Sequence, residues 1–383
     1  MKNLQNFKST CGKAILITSI GLLLTSNVTG QTQAQKLQIQ SETNVVHLNQ
    51  LAADFSATAI QEKAAAEQWA IANGFPIRGT TPDGSYFEIQ SIVNGPAYYI
   101  TNNINAANTI ATNKVWSGGG AGLNLSGLGY TIGEWDGPIV ELTQYSIIST
   151  EFGTRLTQID IDPNPPDLNN TFPHPIHVAG TMIATGTSAN ARGMANQAEI
   201  TLYDWTGAEG EMADEAANNN MLFSNHSYGS TRGWLRAKIN NVWSDVWFGN
   251  RNINQTEDYS FGFYDNSTQQ WDVIANDAPY YLIVKSAGND RGESPPDGNN
   301  GTSGHWAANY DANGNFLGTV TSGFTTFRET DGGADGYDCL DQQGVAKNIL
   351  TVGAVDDIPA GYSSSSDVKQ INLILVVGVQ LSR

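Results

Sequence analysis

The stretch PYYLIVKSAGN, residues 279–289, is apolar at nearly every position before it ends in a small-residue turn. A strand with one wet face would alternate apolar and polar residues, so a continuous run indicates a strand that is covered on both faces. Small-residue helical runs separate this stretch from similar ones, a pattern that predicts an α/β domain with a mostly parallel sheet and helices on both faces. The other runs are GYTIGEW (129–135), AEITLYDW (198–205), NMLFSNHSYG (220–229) and KNILTVGAV (347–355).

The composition favours a globular protein that does not bind nucleic acid. The 383 residues are 40% hydrophobic and 15% charged, which is enough apolar sequence for a substantial core. The formal net charge is -18, with 19 Lys and Arg against 37 Asp and Glu. A protein that binds a phosphate backbone needs basic clusters, so this balance argues against a nucleic-acid partner.

The N-terminal sequence predicts export. Lys2, Lys8 and Lys13 precede the apolar run 14–24, and a polar, small-residue stretch follows it. This arrangement is typical of a signal peptide, which we place at residues 1–30. The alternative is a membrane anchor, but the run is too short to cross a bilayer, so we expect a secreted or periplasmic protein with no membrane association after cleavage.

Cysteine usage provides no internal cross-link for the exported chain. Cys11 lies in the predicted signal peptide, which leaves Cys339 alone. A single thiol cannot form an internal disulfide, so stability must come from packing.

Residues 31–113 are predicted to form a small α+β unit ahead of the main domain, residues 114–383. A helical pattern occupies residues 56–74 and ends at a glycine, and strand-like pieces follow at 85–93 and 96–103. A pro-segment would lie in this position. The alternative is an N-terminal extension that is never removed.

Three polar residues lie at strand ends and at a helix start, the positions where parallel α/β sheets usually carry their functional side chains. Asp136 ends one apolar strand, Asn289 follows another, and His174 begins a helical segment with Pro175 behind it. Each has an ordinary explanation as well: an Asp-Gly turn, a helix-capping histidine and an Asn turn. The spacing of His174 and His177 also leaves zinc open, although H-x-x-H without a nearby Glu is a weak signal.

Taken in order, these segments resemble the subtilases, the subtilisin-like serine peptidases. HPIHVAGT (174–181) is similar to the family's H-G-T-H-V-A-G-T at six of eight positions, and SAGND (286–290) contains the family's A-G-N. SNHSYGS (224–230) resembles the family's strand that pairs with extended substrate, and AKNILTVGAVD (346–356) resembles the strand before its last catalytic segment. The resemblance covers residues 129–356.

The resemblance implies acyl transfer on a polypeptide substrate. His174 would be the general base, Asp136 would orient it, and Asn289 would donate to the oxyanion. Ser227, Tyr228 and Gly229 would bind the substrate backbone. We therefore expect His174, rather than His177, to face Asp136.

Two departures from the family pattern qualify this reading. The family's nucleophile segment, G-T-S-M-A, is not found after residue 356, and the G-T-S at 301–303 precedes the last strand, so we expect Ser303 not to be the nucleophile. We expect a chain that is truncated before the nucleophile and is inactive as given; the alternative is an inactive peptide-binding protein. In addition, Pro175 and Ile176 replace the Gly-Thr of the family motif.

The sequence predicts no certain cofactor and no metal ligand set. Two loops, at 160–170 and 291–304, are acidic and glycine- or asparagine-rich. Their side-chain and backbone oxygens are of the kind that binds calcium, so calcium is the one ion for which the sequence offers donors.

Overall fold

The computed structural model describes twelve segments of the chain. The predicted signal peptide, Ser303, the serine run 363–366 and most of the two acidic loops lie outside them. The described residues are 31–80, 86–92, 96–101, 110–137, 148–161, 174–187, 192–239, 242–294, 306–311, 316–320, 328–332 and 339–354.

The described helices alternate with strands through the second half of the chain. The α-helices are α1 (Gln33–Glu42), α2 (Val45–Asn73), α3 (His174–Ile183), α4 (Ala208–Asn218) and α5 (Asn266–Asp277). The strands are β1 (Arg78–Thr80), β2 (Tyr86–Ile92), β3 (Pro96–Thr101), β4 (Thr131–Asp136), β5 (Leu156–Gln158), β6 (Glu199–Asp204), β7 (Phe223–His226), β8 (Tyr228–Ser230), β9 (Trp234–Ile239), β10 (Val242–Trp247), β11 (Leu282–Ser286), β12 (Trp306–Tyr310), β13 (Phe316–Val320) and β14 (Leu350–Val352).

A six-stranded sheet forms the centre of the fold, in the order β14-β11-β7-β4-β6-β5. Every neighbouring pair in it is parallel. The five continuous apolar runs each contribute a strand to it, so the predicted α/β fold with a mostly parallel sheet is confirmed.

One face of this sheet packs against α2, α4 and α5. Its core is aromatic: the Trp135 ring stacks on Tyr203 at a centroid distance of 4.6 Å and lies 5.2 Å from the ring of His226. Leu48 of α2 and Trp271 of α5 are fully buried in the same cluster. The amino-terminal half of α2 therefore belongs to the core of the main domain.

The opposite face is covered by α3 over only part of its width. Ile176, Ala179 and Ile183 of α3 pack with Ile200 and Leu202 of β6. Farther along the sheet, on β7, β11 and β14, three apolar side chains of this face keep a large exposed fraction. These are Phe223 at 37%, Leu282 at 38% and Val352 at 46%.

The described residues between 31 and 101 contain two helices and three strands, and the second helix is longer than the pattern indicated. α2 begins at Val45, and its C-cap Gly74 has φ 73°, the left-handed conformation that glycine adopts without strain. The sheet β1-β2-β3-β8 is antiparallel and joins these elements to the main domain through β8.

A second four-stranded sheet, in the order β13-β12-β10-β9, was not predicted. Among the described residues, no helix combines the length and the apolar character needed to cross a membrane.

Candidate active site

The site is built at the carboxyl edge of the central sheet, where β4 ends. Asp136 is the last residue of β4, and its side chain is fully buried. The Gly137 N–H donates to Asp136 Oδ1 at 2.7 Å. A Cβ at Gly137 would lie 2.3 Å from the ring of Trp205, so only glycine lets the chain turn here. The Asp-Gly turn and the buried carboxylate are thus parts of one local structure.

His174 is the first residue of α3 and faces Asp136. Its Nδ1 lies 2.9 Å from both carboxylate oxygens, and its side chain is 12% exposed. An imidazole that donates from Nδ1 to a buried carboxylate has Nε2 left as the proton-accepting atom. The pair can therefore act as an oriented base that reaches the surface on one side only.

Pro175 and Ile176, which replace the Gly-Thr of the family motif, are both buried and do not project from α3 toward the site. Pro175 is buried at the second position of the helix, where its missing N–H has no helical partner to lose. The side chain of Ile176 is 6% exposed and packs in the apolar cluster under the sheet. The extra bulk relative to the family's Thr therefore goes into the core.

A second carboxyl lies on the same face of β4, two residues before Asp136. Glu134 is fully buried, and neither of its oxygens has a hydrogen-bond partner among the described residues. Burial, and then the negative charge of Asp136, raise the pKa of Glu134 well above its ordinary value. The strand therefore places a carboxyl that favours its neutral form beside the carboxylate of the His174 pair.

Asn289 lies at the same edge of the sheet but is not in the His174 pair. It follows β11 after Gly288, whose φ of 90° turns the chain, and its side chain is exposed. β7 separates β11 from β4, so the two strand ends are about 10 Å apart at ordinary strand spacing. The ends of β4 and β11 thus flank the end of β7 at this edge of the sheet.

The predicted substrate strand is occupied by the chain's own N-terminal region. β8 pairs in antiparallel fashion with β3, with Ile100 opposite Gly229 and Thr101 opposite Tyr228. The Tyr228 side chain is buried and its hydroxyl lies 3.1 Å from His226 Nδ1, whereas Ser227 Oγ donates to Asn225. The three residues therefore contribute backbone at this edge, while their side chains serve local contacts.

The zinc alternative gains no support from the geometry. His177 is exposed on the next turn of α3, and His174 is committed to Asp136. Within the described part of the chain, no group of three or more His, Cys, Asp or Glu side chains could hold a metal ion.

Two features near the site were missed at the level of sequence. Glu134 is one, and the other is a fully buried ion pair behind β8, between Lys285 and Asp341, at 3.1 Å. A lysine inside the run YLIVKSAG was the available signal for the pair, since a charge in a buried strand requires a partner.

Comparison with known proteins assigns the chain to a family. No curated protein matches the chain. One solved structure that matches is the Clostridium perfringens CspB protease, at 15% identity and a TM-score of 0.29, covering 53% of this chain. The chain spans 42% of the length of that structure. The model of the subtilase family matches residues 96–375. The chain therefore belongs to the subtilase family of serine peptidases.

Proposed function

We propose that this chain belongs to a secreted serine endopeptidase in which His174 is the general base and Asp136 its orienting partner, and that residues 1–383 are inactive without a nucleophile segment. Membership of the subtilase family supports a serine peptidase that acts on polypeptides. The observation that carries the assignment of residues is the two-oxygen contact between buried Asp136 and His174 Nδ1 at the sheet edge. The lysine-rich and then apolar sequence of residues 1–24 supports export to the periplasm or the medium.

In the proposed reaction, His174 Nε2 accepts the proton of a serine hydroxyl as that oxygen attacks the peptide carbonyl carbon. The imidazolium that forms is stabilised by Asp136, which stays ionised. The Asn289 amide donates to the tetrahedral oxyanion. His174 then protonates the leaving amine, and a water molecule hydrolyses the acyl-enzyme by the same steps in reverse.

The substrate would bind as an extended strand on β8. The Ser230 N–H donates to Asp341, away from β3, so the alternation of an antiparallel ladder leaves Gly229 and Ile100 as the pair that exchanges backbone hydrogen bonds. Gly229 is then the residue of β8 that offers an N–H and a C=O to a peptide. Main-chain pairing of this kind binds many sequences, as an endopeptidase requires.

Residues 31–113 would act as an inhibitory pro-segment. β3 occupies the edge of β8 that a substrate would take, and α2 anchors the segment through the buried Leu48. The alternative is an extension that is never removed, and the full burial of Leu48 in the main domain is the observation in its favour. The two readings differ in whether residues 31–113 separate from the domain during maturation.

A serine-directed fluorophosphonate probe tests the proposal. Labelling at a serine that peptide mapping identifies, together with its loss in His174→Ala, would support the assignment, whereas an unlabelled wild type is what the lack of a G-T-S-M-A segment after residue 356 predicts. His177→Ala is the matched control, because it removes an exposed histidine from the same helix, and it should label as the wild type does. Labelling that survives His174→Ala would contradict the assignment.

The second candidate is a peptide-binding protein that does not cut. The observation in its favour is that β8 already holds an extended backbone, β3, in antiparallel register. Ile100→Pro removes the N–H that faces Gly229 and opens the edge, whereas Ile100→Ala keeps it closed. Peptide binding to the Ile100→Pro chain together with no labelling and no casein hydrolysis would favour binding over cleavage.

A further inference from the structure

We propose that the buried ion pair between Lys285 and Asp341 is the positioning device that holds β8 in shape for an extended polypeptide. This inference rests on the proposed role of β8 as the substrate strand. Lys285 and Asp341 act through the backbone of β8, so they are positioning residues and would not contact the reacting atoms.

The ion pair is attached to β8 on both sides of Gly229. Asp341 Oδ2 accepts the Ser230 N–H at 3.1 Å, and its other oxygen accepts the Gly344 N–H at 2.9 Å. Lys285 Nζ donates to the Ser286 carbonyl at 2.9 Å, and the Ser286 hydroxyl reaches the Tyr228 carbonyl at 3.4 Å.

These contacts use the backbone groups of Tyr228 and Ser230 that point away from β3. The groups of Gly229 that point toward β3 are left for an incoming strand. The carboxylate therefore holds Ser230 directly, and the ammonium holds Ser286, whose hydroxyl contacts Tyr228. The residues before and after the single position that would pair with a peptide are both held.

Gly229 shows how closely β8 lies on the ion pair. A Cβ at this position would be 2.5 Å from Asp341 Oδ2 and 3.6 Å from Lys285 Nζ. Any side chain would have to displace the carboxylate, so the glycine is required by the close approach. The strand rests directly on the charged pair.

The ion pair also reaches the segment that carries Asn289. Lys285 belongs to β11, four residues before Asn289, and Asp290 follows it. Burial and then the charge of Asp341 raise the pKa of Asp290 to about 7. Asp290, the residue after the proposed oxyanion donor, is thus electrostatically coupled to Asp341.

Stability alone does not account for charges at this place. Replacing a buried ion pair by well-packed apolar residues of similar volume is often neutral or stabilising, whereas removing one partner is strongly destabilising. An apolar pair, however, could not accept the Ser230 N–H or fix the Ser286 carbonyl. Replacing both charges by apolar side chains should therefore leave the protein folded but release the backbone of β8.

The test uses the exported chain with Lys285→Met and Asp341→Leu together. Hydrogen exchange of the Gly229 and Ser230 amides should become at least about tenfold faster, and exchange at Ile283 in the central sheet should change less than about threefold. A loss that is purely structural would accelerate Ile283 equally. Arg236→Met with Asp245→Leu removes a partly buried ion pair between β9 and β10, at 3.2 Å, away from β8, and is the control.

Binding is measured with a labelled peptide of the β3 sequence, PAYYIT, on chains that also carry Ile100→Pro. The Lys285→Met/Asp341→Leu change should weaken binding by about tenfold or more, and the control pair should leave it unchanged. Unaltered exchange at Gly229 or unaltered peptide affinity would overturn the proposal.

Failure of the proposed function would look different. If the Ile100→Pro parent does not bind the peptide at all, β8 is not a peptide site, while the exchange at Gly229 still reports whether the ion pair holds the strand. If the double variant does not fold, Asp341→Glu replaces it: this change keeps the charge that pairs with Lys285 and shifts the carboxylate that accepts the Ser230 N–H. Gly229 should again exchange faster than the wild type, and unchanged exchange there would refute the positioning role.

Discussion

Replacing Glu134 by Leu should make this protein more stable, although the residue lies beside the proposed catalytic pair. The carboxyl is fully buried with neither oxygen paired among the described residues. An unsatisfied buried polar group costs about 1–3 kcal/mol. Leu202 of β6 is the lateral neighbour on the same face of the sheet, so a leucine at position 134 would extend an apolar surface that already exists.

The pH dependence of this effect has a definite sign. The pKa of Glu134 is raised in the folded protein, so its contribution to stability is greatest below the ordinary carboxyl pKa and is lost as the pH rises toward the folded value. Each pH unit in that window costs the wild type at most about 1.4 kcal/mol relative to Glu134→Leu. The advantage of the variant should therefore grow as the pH rises above about 4.5.

Urea unfolding at pH 5, 6, 7 and 8 measures this difference. Glu134→Gln removes the titration and retains a buried polar group, so it should flatten the pH dependence without the full gain in stability. Glu199→Leu, at an exposed position of the neighbouring strand β6, should change stability by less than about 0.5 kcal/mol. A Glu134→Leu protein that is less stable than the wild type, or whose gain is the same at every pH, would refute the reasoning.

Three further predictions concern the fold around the site. Burial, and then the charge of Asp160, raise the pKa of Glu211 to about 9, so stability should fall as the pH rises from the ordinary carboxyl range toward that value. Urea unfolding of Glu211→Gln should show a shallower loss over the same pH range. Leu48→Ala should cost about 2–5 kcal/mol in thermal or urea unfolding because Leu48 is fully buried, whereas Val46→Ala, at 84% exposure, should cost almost nothing. Gly210→Ala should destabilise by about 1–3 kcal/mol in the same assay, since its Cβ would lie 2.0 Å from Ser56 Oγ where α4 meets α2; an unchanged midpoint would contradict that close contact.

The central sheet could be predicted because its signal is local. Each buried parallel strand is a short continuous apolar run, and each run is visible without knowledge of its neighbours. Residues 220–229 are the exception, since this one run forms both β7 and β8. The break at Ser227 occurs because β8 leaves the parallel sheet to pair with β3, more than a hundred residues earlier in the chain.

Part of the site could also be predicted, because its sequence signal is local. Asp136 and His174 stand at element ends that sequence patterns mark, so their positions could be proposed before their contact was seen. Lys285 was visible as a charge in an apolar strand, but its partner Asp341 lies in a loop without a distinctive pattern. Pairing between distant segments is decided by the packing of the whole chain, and a single sequence does not show it.

The central claim is that Asp136 fixes the imidazole of His174 as an oriented base, and ¹⁵N NMR of the histidine side chains tests it directly. The account predicts that the neutral imidazole of His174 carries its proton on Nδ1, and that Asp136→Ala abolishes this preference. His177, exposed on the same helix, should not respond to that substitution. A His174 protonated on Nε2 alone, or a tautomer that is unchanged in Asp136→Ala, would contradict the account.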